Sequence, residues 1–280
     1  MPPVNPGIEA ENDADNATRY ARIRDGLAAL RRELHESRPD ALILIGDDQE
    51  ENFRPEHLLP QIAVYLGADF RCKNRSGGPE RHCKSHPEMA RSILHQAMND
   101  GFDMGMCNGL TDGLLASHAH YEIAEHIVAD SGIPVVLIFV NALHIPAVAP
   151  ARCHALGESI RRAIATRPDG ERYAIYASGG LSHFTGGFPW KQYTGPYAFG
   201  DISQDFDRQF MGWIERGEGE RARQLTSADL LHHGDVEMRS WISLLGAVGP
   251  AITNWSVYEP FYRGMMGMAA ASWKLTLDKK

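Results

Sequence analysis

Three stretches of this 280-residue chain join a buried-strand pattern to side chains able to do chemistry. The apolar run Ala41–Ile45 leads directly into Gly46-Asp47-Asp48-Gln49-Glu50-Glu51-Asn52-Phe53. Carboxylates abutting a covered strand can meet a metal or a substrate, or can form a solvated turn that caps a helix. Tyr173–Ala177 leads into Ser178-Gly179-Gly180-Leu181-Ser182-His183. Paired glycines let the backbone turn sharply and deliver His183 near the sheet edge, among Phe184, Phe188 and Trp190. An imidazole there suits general acid/base chemistry because it titrates near neutrality; a hydrogen-bonded turn histidine is the plainer account. The third stretch, His232-His233-Gly234-Asp235-Val236-Glu237-Met238-Arg239-Ser240-Trp241, puts Glu237 in the first turn of an apolar helix. A carboxylate facing a core needs a partner, and a metal is one. Stabilisation of a helix N-terminus, worth about 0.3–1 kcal/mol, explains it equally.

The remaining histidines, 13 in all against 4 cysteines, read as less specific. His118 and His120 are two apart, so they share a face in a strand but not in a helix, and packing or surface roles account for them. His82 and His86 stand among Arg81 and Lys84, whose charges repel a cation. The cysteines form no C-x-x-C pair, which argues against a zinc ribbon. A serine nucleophile elbow is missing too, because Ser182 lacks the right flanks, with Phe184 where the second glycine would stand.

The elements that must position these residues alternate. Tyr20, Ile23, Leu27, Leu30 and Leu34 mark an amphipathic helix ending near Pro39. Helices are predicted at Pro87–Asn99 (capped by Ser85), Arg152–Thr166, Asp205–Gly217, from Ser227, and at Val236–Ala247; strands at Ala41–Ile45, Val135–Val140, Tyr173–Ala177 and near Met265–Leu275. This alternation predicts an α/β fold: a single domain over residues 17–280 with a central mixed, mainly parallel sheet flanked by helices, after a polar arm at 1–16. A net charge of −8 gives no surplus for nucleic acid or an anionic membrane. The apolar runs are too short to span a bilayer, and no secretory signal is visible, so a reduced, cytoplasmic setting is expected.

Pro39 to Phe53, Val140-Asn141 with Pro146, Arg152-Cys153-x-x-Leu156-Gly157-x-x-Ile160-Arg161, Ala177 to His183 and Glu237 to Trp241 together resemble the class III extradiol ring-cleavage dioxygenases, the LigB-like superfamily. The resemblance runs in the family's order from about residue 20 onward. It implies a non-haem Fe(II) held by two histidines and a glutamate, with open positions for a catecholate and O₂. Carried over by position, Glu237 matches the carboxylate ligand and His183 the catalytic acid/base. Where the family has its second ligand histidine, this chain has Asp48-Gln49; no histidine precedes His35; and Cys107-Asn108-Gly109 replaces an Asp-His-Gly segment. The resemblance thus implies a metal site of Glu237, Gln49 and Asp48, with Asp47, His118 or His120 able to contribute. It implies a substrate pocket of His118, His120, Ser182 and Phe184, and leaves Arg54, Arg239, Lys191 and Tyr193 to meet a carboxylate or phenol. The implied partners are a small aromatic substrate and O₂, in a homo-oligomer or beside a homologous subunit. A metal-free member using His183 for proton transfer, or a non-catalytic subunit, are the alternatives.

Overall fold

The computed structural model describes residues 12–72, 80–111, 115–185 and 193–275. Ala41–Gly46 (β1) and Val135–Val140 (β6) are buried at every position, as runs covered on both faces must be. They pair in parallel, and Tyr173–Ala177 (β7) lies parallel to β1 on its other side. Ile62–Tyr65 (β2) runs antiparallel to β6 and parallel to Gly105–Cys107 (β5). The strand order β5-β2-β6-β1-β7 makes the sheet mixed and mainly parallel, with β7 at an edge, as expected. Two hairpins stand apart from it: Asp69–Cys72 (β3) with Arg81–Lys84 (β4), and Trp255–Phe261 (β8) with Met266–Ser272 (β9).

Alternate residues of each central strand feed opposite cores. Ile43, Ile45, Val136 and Ile138 pack with Pro87–Asn99 (α2), Pro150–Ala165 (α4), Gln204–Glu215 (α5) and Met238–Val248 (α7). Leu42, Leu44, Leu137 and Phe139 pack on the other face with Asp13–Ser37 (α1) and the segment that follows His118–Ile123 (α3) as a π-turn, Ala124–Val128. Ser227–His233 (α6) opens with a capping box at Thr226 and closes on a left-handed Gly234. Helices thus cover both faces of one sheet.

Three expectations about boundaries change. The first helix begins at Asp13, because the Asn12 side chain accepts from the Asp15 N–H; residues 13–16 are therefore helical, while 1–11 lie outside the described residues. α2 is capped by His86, whose Nδ1 accepts from Met89 N at 3.1 Å, and not by Ser85. α7 starts at Met238, so Glu237 is its N-cap residue and stands at the mouth of the helix instead of inside its first turn.

Candidate active site where β1 and β7 end

Because β1 and β7 are parallel and in register, their carboxyl ends meet: Ile45 opposes Ala177, and Ser178 N donates to Ile45 O at 2.8 Å. The start of α7 sits over this junction. Gly180 N donates to Glu237 Oε2 at 3.0 Å, and Trp241 Nε1 to Gly179 O at 3.0 Å. A Cβ on Gly179 would lie 2.9 Å from Glu237 O, so glycine is what allows the helix to approach. From the β1 side, Gln49 and Glu50 adopt left-handed backbone, φ 50° and 65°. That conformation costs roughly 1–2 kcal/mol per non-glycine residue. It turns Gln49 inward, so that its Nε2 donates to Glu237 Oε1. Both Glu237 oxygens thereby accept hydrogen bonds, one from each strand's loop.

His183 reaches the same carboxylate. Its Nδ1 sits 2.7 Å from Leu181 O, which fixes Nδ1 as the donor and leaves Nε2 as the basic nitrogen, 4.0 Å from Glu237 Oε1. The loop carrying it is held on every side. His183 N donates to Gly234 O, Leu181 N to Gly267 O, and Gly267 N to Ser182 O. Ser182 is fully buried; its N and Oγ donate to Asp207, and its Oγ accepts from Ser203 N at 2.8 Å. Ser182 thus ties the loop to the scaffold. Asp207, which also accepts from Tyr258 OH at 2.7 Å, is a supporting residue with no signal in the sequence.

Of the two aspartates after β1, side chains at consecutive positions point opposite ways. Asp48 turns back on its own loop, accepting from Asn52 N, Asn52 Nδ2 and Phe53 N at 2.7–2.9 Å, so its carboxylate caps a turn. Asp47 turns toward Glu237. Burial first, then the Glu237 charge, pushes its carboxyl up to about 7; Oδ1 accepts from Asp48 N, and Oδ2 has no hydrogen-bond partner among the described residues. Since an unfolded aspartate titrates near 3.8, folding takes up a proton between there and about 7. Stability should therefore fall as pH rises through that window, by at most about 1.4 kcal/mol per pH unit. Asp47→Asn is expected to flatten this slope, which urea melts at both ends of the window will read.

The other candidates separate. His118 lines a cavity of about 850 Å³ together with Gln49, Gly180, Glu237 and Trp241, its Nδ1 3.0 Å from Glu51 Oε2. This cavity runs along the β7 edge between α1 and β9, and His183, which contacts Glu237, is not among its lining residues. His120 is a core residue: fully buried, bonded to Ser117 Oγ and Ile138 O, and lowered by burial to about 4, so it stays neutral. Phe184 is likewise buried, stacked on Tyr197 at 4.7 Å, and is not part of the cavity wall. Arg239 is buried with its donors on Val148 O, Val236 O and Ser227 Oγ, so it cannot meet a substrate carboxylate. Tyr193 OH donates to His232 O, and Arg54 Nε to Glu50 O. Phe188, Trp190 and Lys191 lie outside the described residues.

The donor set does not fit the iron centre that the resemblance implies. Among the described residues no three His, Cys, Asp or Glu side chains converge on one point. Where a second imidazole would stand, Gln49 turns an amide N–H, a donor that cannot ligate, onto the Glu237 oxygen a metal would need.

A mixed α/β sheet with a polar site at its strand carboxyl ends belongs to the class in which ligands bind at that edge. The particular family follows from comparison. Residues 5–271 match the model of the LigB family, the catalytic LigB subunit of aromatic ring-opening dioxygenase, and the chain belongs to that family. It is similar to a 2,3-dihydroxyphenylpropionate/2,3-dihydroxicinnamic acid 1,2-dioxygenase of Comamonas testosteroni, 29% identical over 58% of this chain and 48% of that one. It is also similar to a gallate dioxygenase of Pseudomonas putida, 26% identical over 64% of this chain and 51% of that one. The chain thus spans about half the length of the curated relatives it matches. A solved structure of an uncharacterized protein from Escherichia coli K12 shares 13% identity over 87% of this chain and 91% of that one, with a TM-score of 0.48. Among the described residues no helix is long and apolar enough to cross a membrane.

Proposed function

We propose that this protein opens the ring of a hydroxylated aromatic acid with O₂, as an extradiol-type dioxygenase, with His183 as the acid/base. The observation that carries this reading is the oriented His183: Nδ1 pinned by Leu181 O, Nε2 turned to the Glu237 carboxylate where β1 and β7 end. An imidazole held so can take the proton of a ring hydroxyl placed beside Glu237 and return it to the product. Glu237 Oε1, 4.0 Å from Nε2, is the carboxylate that the imidazolium formed on the way would face. The dihydroxylated acids acted on by the relatives, 2,3-dihydroxyphenylpropionate and gallate, are the substrates to try first. Of the family's iron ligands this chain matches only the carboxylate, Glu237. An Fe(II) there would need its imidazoles from a homologous subunit or from a second copy.

The bond from Gln49 to Glu237 favours a second reading: a member that works on an aromatic-derived acid by proton transfer alone, with Glu237 held as a hydrogen-bonded carboxylate. Oxygen uptake, followed with each acid and with Fe(II) added or chelated, separates the two. Uptake that chelation abolishes supports the first; oxygen-independent, chelator-insensitive turnover supports the second.

A further inference from the structure

The β3–β4 hairpin carries two thiols away from the site. Cys72 and Cys83 are free, with their Sγ atoms 3.8 Å apart. In the register Cys72 opposes Arg81 and Cys83 opposes Phe70, so the thiols are diagonal neighbours on one face of the ribbon. Cys72 is buried in the core beneath, and Cys83 is half-buried at the hairpin surface. The hydrogen bond shared with Cys72 lowers the Cys83 thiol, opposed by burial and aided by the neighbouring Arg81 charge, while Cys72 is raised. The pair therefore divides the two roles of thiol oxidation: Cys83 has access and thiolate character, and Cys72 is a resolving thiol held in reach. Cys107 and Cys153 lack this arrangement. The Cys107 thiol donates to Gly109 O at 2.8 Å, and burial pushes Cys153 up to about 12.

We propose that Cys72 and Cys83 form a reversible disulfide across the β3–β4 hairpin, with a hydroperoxide as the oxidant. The Cys83 thiolate attacks the peroxide, breaking its O–O bond; the sulfur is oxidised by two electrons to a sulfenic acid and the leaving oxygen departs as hydroxide. The Cys72 sulfur then attacks the Cys83 sulfur, the S–O bond breaks, and water leaves with the Cys72 proton. Overall two thiols and one hydrogen peroxide give one disulfide and two waters. A disulfide holds its sulfurs at about 2.05 Å, so they must close by roughly 1.8 Å from their present 3.8 Å, through side-chain rotation and a small shear of the ribbon.

The test treats the whole protein with hydrogen peroxide, alkylates the remaining thiols, and maps the peptides before and after reduction. The expected result is a Cys72–Cys83 cross-linked peptide, lighter by two hydrogens, that disappears with dithiothreitol while Cys107 and Cys153 are recovered alkylated. In Cys83→Ser, Cys72 should remain alkylatable after the same treatment. Recovery of Cys72 and Cys83 as fully alkylated as Cys153 overturns the proposal, and so does accumulation of Cys83 sulfinic acid without the cross-link. The map of the unsubstituted protein decides the matter by itself, whatever reaction takes place at Glu237.

Discussion

His183→Ala is expected to lower turnover of a dihydroxylated aromatic acid by about 10²–10⁴-fold, the range for removing a positioned acid/base. The loss should fall on kcat more than on KM, since the imidazole acts on a proton in flight and supplies little binding area. The fold should survive, because the loop is held by main-chain bonds that alanine keeps: His183 N to Gly234 O, Leu181 N to Gly267 O and Gly267 N to Ser182 O. The side-chain bond to Leu181 O is lost, worth about 1 kcal/mol. Steady-state kinetics with a thermal melt check both halves. A large loss of melting temperature would assign His183 to the scaffold; an unchanged kcat would remove it from the chemistry.

Gly157→Ala should have the largest effect on stability. α4 and α7 cross so closely that a Cβ on Gly157 would lie 1.9 Å from Ser243 O, and one on Gly246 1.9 Å from His154 O. Both obstacles are helix backbone, which cannot swing aside as a side chain does. Overpacking ordinarily costs about 1–3 kcal/mol, and a backbone obstacle belongs at the top of that range or above it. At about 2–4 °C per kcal/mol, melting should drop by roughly 6–12 °C. The effect reaches the site, because α7 begins directly after Glu237: helices forced apart carry that carboxylate away from Gln49 and Gly180. Gly157→Ser, similar in bulk, should behave alike, which a denaturation series will establish.

The central sheet was legible where burial on both faces leaves an all-apolar run, as in β1 and β6, and α2, α4 and α5 were legible from their spacing. β2, β4 and β5 have three or four residues each, too few to show a period, and β4 reads Arg-His-Cys-Lys because it belongs to a surface hairpin. His183 and Glu237 could be found because a glycine pair and an apolar helix frame them. The choice of Asp47 over Asp48 could not be read, since it depends on which way the chain twists as it leaves β1. The same holds for Gln49: its left-handed backbone and its bond to a residue 188 positions away leave no local trace. His120 looked available because its spacing from His118 says nothing of Ser117 and Ile138, which enclose it.

The most direct test of this account is simultaneous measurement of oxygen uptake and loss of ring absorbance with a dihydroxylated aromatic acid. It predicts that one O₂ disappears for each ring opened, and that His183→Ala abolishes both signals together. Substrate consumed with no oxygen uptake would contradict ring-opening dioxygenation, and uptake unchanged in His183→Ala would contradict the role given to that imidazole.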